Sequence, residues 1–227
     1  MDQFKVITIK KNVLDGNERR AAALRAELQA KGIFLLNLMS SPGSGKTSTL
    51  VKTIQALQGE LRIGVLEADL DSDVDARTVS ATGTSVIQLH TGGMCHLDAD
   101  MTRQGLEGLG TDTLDLVFLE NVGNLICTAE FDTGASRNAM ILSVPEGDDK
   151  ALKYPHMFSM VDVLLVNKMD VMEHFDFDLA TLTRRVKDLN PGIKVFPISA
   201  KTGAGIEPWA DWLRAEISQY RGNNHGK

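Results

Sequence analysis

The segment Ser40-Ser41-Pro42-Gly43-Ser44-Gly45-Lys46-Thr47 decides the fold. An apolar run over residues 33–39 precedes it and predicts a buried strand, and the spacing of apolar residues over 47–57 predicts a helix. Between them, Gly43 and Gly45 allow backbone N–H groups to curl around an anion at the helix N-terminus, where the helix dipole favours negative charge. We therefore predict a phosphate-binding loop and the α/β fold of a P-loop NTPase.

The side chains of this loop predict a nucleoside triphosphate as ligand. Lys46 can reach the β- and γ-phosphates, which makes it a catalytic as well as a binding residue, and the Thr47 hydroxyl can bind Mg²⁺. The usual pattern GxxxxGK[ST] has glycine where this chain has Ser40, and we expect a slightly altered loop rather than lost binding. The predicted nucleotide-binding residues of the loop are Gly43, Ser44, Gly45, Lys46, Thr47 and Ser48.

A second segment, Asn167-Lys168-Met169-Asp170, follows an apolar strand and predicts guanine as the base. The Asp170 carboxylate can accept hydrogen bonds from the ring N–H and the exocyclic amine of guanine, a pair that adenine does not offer. A site built around such donors rejects an analogue that lacks them by about 10⁴-fold or more. Lys168 can cover the base with its aliphatic stem, and Asn167 can brace the loop. The predicted ligands are therefore GTP and GDP.

A third segment, Ser199-Ala200-Lys201, strengthens the guanine assignment. It follows a predicted strand at residues 194–198 and matches the GTPase element whose backbone contacts the guanine O6. The four-residue motif NKxD is common by chance, but its position after a strand, far downstream of a P-loop and followed by SAK, makes the combination specific. Ser199, Ala200 and Lys201 are accordingly predicted to bind GTP.

Acidic residues follow the predicted strand at residues 61–66. That strand runs into Glu67-Ala68-Asp69, and Asp71, Asp73 and Asp75 follow at alternate positions. Because ligands bind at the carboxyl ends of the strands in open α/β sheets, these acids are expected beside the P-loop. We interpret Asp71 and Asp73 as part of a solvated loop, and Asp69 and Asp75 as functional.

A further acidic segment, Glu120-Asn121-Val122-Gly123, follows another apolar strand. It resembles the DxxG switch of GTPases with Glu in place of Asp. Catalysis of phosphoryl transfer rests mostly on positioning and on neutralising charge. We assign Mg²⁺ to Thr47 together with Asp69 or Glu120, and the orientation of the attacking water to Asp75 or Glu120.

Cys95, His96 and Cys127 form a candidate soft-metal site. Thiolate and imidazole ligands suit Zn²⁺ or Ni²⁺. Three ligands leave such a site incomplete, and a second copy of the chain, water or His90 would complete it. A buried cysteine is more often a small inert hydrophobe, so spacing alone leaves both interpretations open.

Residues 40–213 resemble the hydrogenase nickel-incorporation GTPases (HypB type), within the metallochaperone P-loop GTPases. The matching stretches are SSPGSGKT, EADLDSDVDA, TGGMCHLDA, ENVGNLICTAEFD, EGDDKALKYPHMF, NKMD, LNPG and SAKTGAGI. The resemblance implies hydrolysis of GTP and a metal site of Cys95, His96 and Cys127 at the interface of a GTP-dependent homodimer. It also implies two partners, a nickel-handling accessory protein and the precursor of a hydrogenase large subunit. We expect slow turnover because spacing marks no arginine as a finger in cis, and Arg77 and Arg137 near the switch segments stay open as candidates.

Two positions near the candidate ligands depart from the family pattern. Asp100 stands where the family usually has His, so a second metal using that position is not expected. Thr128 stands where the family usually has Pro after the later cysteine, and we expect it to loosen the ligand loop.

Three other functions are compatible with the motifs. One is a GTP-binding regulator or metal buffer with negligible turnover, which would hydrolyse GTP no faster than buffer does. Another is a GTPase that matures a different metalloenzyme, such as urease or a cobalamin-dependent mutase. A small-molecule kinase that uses the P-loop would not need guanine, and ATP would then compete with GTP.

Composition is that of an acidic globular protein of one α/β domain. The 227 residues are 43% hydrophobic and 24% charged, with a net charge of −6, which disfavours a nucleic-acid partner. We see no apolar run of about 20 residues, the length that spans a membrane. With two cysteines and no recognisable leader, we expect a reducing cytoplasm.

Alternating strand and helix patterns predict a mostly parallel sheet of about seven strands with helices on both faces. We expect residues 1–32 to be an N-terminal segment with a helix from Asn17 to Lys31 packed on the domain. Residues 33–220 are expected to form the P-loop GTPase domain, and residues 221–227 a mobile tail.

Overall fold

The computed structural model describes residues 5–8, 16–69 and 74–222 of the chain. In these residues one sheet contains eight strands: β1 (Lys5–Thr8), β2 (Phe34–Ser40), β3 (Ile63–Asp69), β4 (Ser85–His90), β5 (Leu116–Glu120), β6 (Arg137–Ser143), β7 (Val163–Asn167) and β8 (Lys194–Pro197). The order is β1-β4-β3-β5-β2-β6-β7-β8, and all neighbours are parallel. Strands β2 to β8 confirm the predicted parallel sheet of about seven strands, and β1 extends it at the β4 edge.

Except for the last one, the helices lie in the connections between successive parallel strands, which need crossovers. Those of the described residues are α1 (Asn17–Lys31), α2 (Lys46–Leu57), α3 (Val74–Ser80), α4 (Ala99–Leu109), α5 (Cys127–Glu130), α6 (Lys150–Lys153), α7 (Pro155–Met160), α8 (Leu179–Leu189) and α9 (Ile206–Gly222). Short 3₁₀ turns lie at Thr111–Thr113, Val144–Glu146 and Met169–His174.

Strand β2 lies in the middle of the sheet and shows why helices cover both faces. All seven of its residues are buried, and successive side chains of a strand point to opposite faces. Leu36 packs in a core with α2, α3 and α9, whereas Leu35 packs in a second core with α1 and α4. A third core lies between the sheet and α6, α7 and α8, and it includes Met39. The predicted two-sided arrangement of helices is confirmed.

Parallel strands bring their carboxyl ends to a single edge of the sheet. Four of these ends carry segments that the sequence marks as functional: Ser40, Asp69, Glu120 and Asn167. Strands β3, β5 and β2 are consecutive neighbours, so the P-loop and both acidic segments emerge side by side. This edge is where an open α/β sheet binds its ligands.

Both chain ends follow the predicted boundaries in part. Helix α1 has the predicted bounds and ends at Gly32, whose φ of 69° is the left-handed conformation common after helices. Helix α9 continues to Gly222, so residues 221–222 of the predicted tail are helical, and the remainder of that tail lies outside the described residues. In the described parts of the chain, helices are too short or too polar to cross a membrane.

Candidate functional site

The phosphate loop has the backbone that an anion site requires. Gly43 and Gly45 have φ values of 76° and 90°, which favour glycine. Gly45 also has no room for a side chain, because a Cβ there would lie 2.5 Å from Asn167 Nδ2. Helix α2 begins at Lys46, and the loop borders a cleft of about 450 Å³. The cleft thus meets a helix N-terminus, which attracts phosphate.

Buried polar contacts join the P-loop to the end of β5. Lys46 Nζ donates to Glu120 Oε1 at 2.7 Å, and Thr47 Oγ1 donates to the same oxygen at 2.7 Å. Glu120 is fully buried. Burial alone would lower the pKa of Lys46, but the charge and hydrogen bond of Glu120 outweigh it and hold this pKa above its ordinary value. Lys46 is therefore a permanent cation at the base of the cleft.

An acidic cluster surrounds that cation. Carboxylate oxygens of Glu67, Asp75 and Glu120 lie within 4.8 Å of one another, and Glu67 is the register partner of Glu120. Glu120 Oε2 is buried and has no hydrogen-bond partner among the described residues. Three carboxylates against one ammonium leave an excess of negative charge, and oxygen ligands of this kind suit Mg²⁺. The residues present fit a Mg²⁺ site.

The structure revises which acids belong to this cluster. Thr47, Asp75 and Glu120 come together as predicted, and Glu67 joins them although sequence reasoning did not assign it a role. Asp69 ends β3, but its side chain lies outside the described residues, as do Asp71 and Asp73. Strand alternation could have revealed Glu67, because residues two apart on a strand share a face.

The guanine motif is tied to the phosphate loop by hydrogen bonds. Asn167 Nδ2 donates to Ser44 O at 3.0 Å, and Asn167 Oδ1 accepts from Ala200 N at 3.0 Å. Lys168 Nζ donates to Gly43 O at 2.7 Å, and Lys168 itself has a φ of 62°. One asparagine thus links the P-loop, NKMD and SAK segments, which are distant in sequence.

Asp170 is held in place by residues of the SAK segment. Ser199 Oγ donates to Asp170 Oδ1 at 2.6 Å, and this hydrogen bond holds the pKa of Asp170 below its ordinary value. Lys201 Nζ lies 4.0 Å from Asp170 Oδ2. Asp170 is therefore ionised near neutral pH and can accept two hydrogen bonds from guanine.

A second cleft, of about 440 Å³, lies beside Asp170. It is lined by Asn167, Lys168, Ala200 and Lys201, and it shares Gly45 and Ser48 with the phosphate cleft. The two clefts adjoin, so one nucleotide can occupy both.

The predicted soft-metal residues come together. Ligand atoms of Cys95, His96 and Cys127 lie within 4.8 Å of one another, and His90 is not in the group. Cys95 Sγ lies 3.9 Å from His96 Nδ1. The hydrogen bond from Cys95 raises the pKa of Cys127, and burial adds to this effect. All three residues are partly exposed. Two thiols and an imidazole fit Zn²⁺ or Ni²⁺ with a position left for a further ligand.

Hydrogen bonds within the loop that carries Cys127 stabilise its conformation. Asn124 Oδ1 accepts from the N–H groups of Ile126 and Cys127, each at 2.8 Å. The fully buried Thr128 donates its hydroxyl to Asn124 O. Thr128 therefore makes a hydrogen bond that a proline could not make, and its predicted loosening of the loop stays a prediction.

The other unusual positions also have partners in the structure. Asp100 Oδ2 lies 3.0 Å from Arg20 Nε of α1, so this carboxylate forms an ion pair. Ser40 is fully buried at the end of β2, and its hydroxyl donates to Ser41 O at 2.8 Å. Ser40 also lines the phosphate cleft.

Comparison with known proteins gives a consistent set of relatives. The family model of the CobW/HypB/UreG nucleotide-binding domain matches residues 34–197. The "Hydrogenase maturation factor HypB" of Azotobacter chroococcum is 44% identical over 216 residues, which are 95% of this chain and 71% of that protein. The "Hydrogenase/urease maturation factor HypB" of Helicobacter hepaticus is 39% identical, covering 97% of this chain and 92% of that one.

A solved structure shares the fold and much of the sequence. The crystal structure of HypB from Helicobacter pylori in complex with nickel superposes with a TM-score of 0.84 and 35% identity. The match covers 90% of this chain and 96% of that one. The likeness therefore extends over most of the chain.

Proposed function

The chain belongs to the HypB hydrogenase maturation factors of the CobW/HypB/UreG family, and from this premise we propose that it couples GTP hydrolysis to nickel transfer. The client is a [NiFe]-hydrogenase large-subunit precursor, and a nickel-handling accessory protein supplies or receives the ion. Nickel is the cargo, and Zn²⁺ is the alternative ion for the same thiol and imidazole ligands.

One observation carries the coupling: Glu120 and Cys127 lie on the same short segment. Glu120 bonds directly to Lys46 and Thr47 of the phosphate loop. Gly123 packs so closely on that loop that a Cβ there would lie 3.2 Å from Pro42 Cγ. A change at the γ-phosphate therefore reaches Cys127 through a few residues of chain, and it can alter how Cys127 meets Cys95 and His96.

The chemistry is the transfer of the γ-phosphoryl group of GTP to water, which yields GDP and phosphate. Lys46 neutralises charge on the β- and γ-phosphates, and Asp75 or Glu120 orients the attacking water. Thr47 with Glu120, and either Asp69 or Glu67, would hold Mg²⁺, which neutralises the developing charge of the transition state. No arginine of the described residues lines the phosphate cleft, so we expect turnover to be slow.

A homodimer completes the metal site in this proposal. Each chain supplies Cys95, His96 and Cys127, all partly exposed, and a second copy supplies the missing ligands. The exposed Ile126, next to Cys127, offers apolar surface for this contact. GTP binding at the adjoining P-loop would favour the dimer.

Nickel affinity measured in two nucleotide states tests the coupling. Wild-type protein and the Cys127→Ala variant are each titrated with nickel, once with a non-hydrolysable GTP analogue and once with GDP. We expect different affinities in the two states for wild type, and weak, state-independent binding for the variant. Equal wild-type affinities would refute the coupling, because a nucleotide can shift only an equilibrium whose two states it binds differently.

Single-turnover hydrolysis separates the enzyme from a metal buffer. Hydrolysis no faster than GTP decay in buffer would favour the binding protein. ATP that competes equally with GTP would favour a kinase, whereas we expect guanine selection through Asp170.

A urease client is the second candidate, favoured by the likeness to the hydrogenase/urease maturation factor of Helicobacter hepaticus. Purified apo-urease and apo-hydrogenase precursor would be offered nickel-loaded protein in parallel. GTP-dependent activation of the hydrogenase alone is expected.

A further inference from the structure

The two segments that carry the metal ligands are separate in the fold. Cys95 and His96 lie in the connection from β4 to α4, and Cys127 begins α5 after β5. Strands β4 and β5 are not neighbours, since β3 lies between them. The distance between the thiols therefore depends on contacts that join the two connections.

A single buried amide provides one such contact. Asn17, in the first turn of α1, is 9% exposed. Its Oδ1 accepts from Ala99 N at 3.0 Å, three residues after His96. Its Nδ2 donates to Asp132 O at 2.9 Å, five residues after Cys127. Asn17 thus joins the two ligand-bearing segments through their backbones.

Helix α1 is itself fixed to the Cys127 side of this bridge. Arg25 Nη2 donates to both carboxylate oxygens of Asp132, at 2.7 and 2.8 Å. Arg25 Nε donates to Ala135 O at 2.8 Å. Because α1 is rigid over these two turns, Asn17 holds the His96 segment at a set distance from Asp132.

An aromatic stack provides the second contact. The rings of His96 and Phe131 have centroids 3.6 Å apart and an interplanar angle of 11°. Phe131 immediately follows α5, the short helix that begins at Cys127. The stack fixes the plane of the imidazole, and with it the direction of the lone pair that would bind a metal.

We infer that Asn17 is a positioning residue for the thiol–imidazole site, with Phe131 setting the plane of His96. The site would take a soft divalent cation, and the inference rests on the metal-binding part of the proposed function. Partners that orient metal ligands affect affinity by about 10- to 100-fold when they are removed.

Asn17→Asp tests the bridge with almost no change of shape. The carboxylate can still accept from Ala99 N–H, but it cannot donate to Asp132 O. We expect nickel affinity to fall about tenfold, measured by competition with a chromophoric chelator. We also expect the thiolate-to-nickel charge-transfer band to shift at saturating nickel, which a loss of general stability would not cause.

Asn190→Asp is a matched control. Asn190 Nδ2 donates to Val161 O at 2.8 Å, and its Oδ1 accepts from Gly192 N at 3.1 Å, so it makes a similar bridge between segments that carry none of the metal ligands. The control should keep wild-type nickel affinity and spectrum. If Asn17→Asp has the same nickel affinity and the same spectrum as Asn190→Asp, the positioning role of Asn17 is refuted.

Position 131 provides an independent test should Asn17→Asp fold poorly. Phe131→Tyr keeps the ring and should retain the wild-type spectrum, whereas Phe131→Leu should shift it and weaken nickel binding. Wild-type protein without a thiolate-to-nickel band would refute the proposed metal function and this inference together. A normal wild-type band with unchanged Asn17→Asp and Phe131→Leu variants would refute the inference alone.

Discussion

The two ends of strand β5 each carry a buried carboxylate, and they differ in how its charge is balanced. Asp115 precedes the strand and accepts from Arg62 N, Nε and Nη2 at 2.8, 3.0 and 2.6 Å, and from Arg221 Nη2. Glu120 ends the strand and meets one cation, Lys46, together with two further acids. One of its oxygens has no hydrogen-bond partner among the described residues.

The difference indicates which end stabilises the fold and which end binds a ligand. At the amino end, two arginines satisfy one carboxylate, and Arg221 also donates to Gly32 O at 3.0 Å, which ties α9 to the turn after α1. At the carboxyl end, the carboxylates of Glu67, Asp75 and Glu120 lie together, and Lys46 pairs with Glu120. The surrounding sheet holds these carboxylates together against their mutual repulsion. A bound cation would reduce that repulsion.

Glu120→Gln should produce the largest effect of the variants, and that effect should be on GTP hydrolysis. The amide can still accept from Lys46 and Thr47, but the proposed Mg²⁺ site loses a charged ligand, so we expect GTP hydrolysis to fall by on the order of 100-fold or more. Single-turnover phosphate release measures this. The free energy of unfolding without nucleotide should stay within about 1 kcal/mol of wild type, since the variant also relieves crowding among carboxylates.

Asp115→Asn is the counterpart at the other end of β5. Because hydrogen bonds to charged groups contribute more than neutral ones, we expect a loss of about 2 kcal/mol of stability, measured by urea unfolding. Hydrolysis by the folded variant should equal that of wild type. A large loss of activity with little loss of stability would contradict the division between the two ends.

The sequence predicts much of the arrangement at the carboxyl end of β5 and very little of the arrangement at its amino end. The apolar runs and the motifs that follow them predict the parallel sheet and its functional edge, because each motif is local in the chain. The partners of Asp115 come from residues 62 and 221, and no local pattern marks that meeting.

At the candidate metal site, too, local sequence patterns predict some residues but not the contacts between distant segments. Cys95, His96 and Cys127 are rare residue types and can be selected from the sequence, and the structure brings them together. Asn17 and Phe131 are common types whose importance arises from where α1 and α5 pack. Their contacts cross three separate segments, so spacing could not predict them.

Glu67→Gln should have a smaller effect than Glu120→Gln. Glu67 adds charge to the acidic cluster beside Glu120, so its removal should raise the Mg²⁺ concentration for half-maximal hydrolysis about tenfold. Glu216→Gln is the control at the amino edge, where Glu216 accepts from Arg137 at 2.9 Å. An unchanged Mg²⁺ requirement in Glu67→Gln would exclude Glu67 from the site.

The smallest effect concerns the pH dependence of stability at Asp115. Hydrogen bonds from Arg62, followed by those from Arg221, lower the pKa of Asp115 well below its ordinary range. A carboxyl whose folded-state pKa is lowered stabilises the protein above its unfolded-state pKa, and this stabilisation is lost as pH falls towards the folded-state value. The stability gap between wild type and Asp115→Asn should therefore narrow by about 0.7 kcal/mol between pH 7 and pH 3.5. Urea unfolding of both proteins at the two pH values measures the gap. If the difference in stability between wild type and Asp115→Asn is the same at both pH values, Asp115 stabilises the fold through its shape and neutral hydrogen bonds. That result would contradict the proposed difference in charge balance between the two ends of β5.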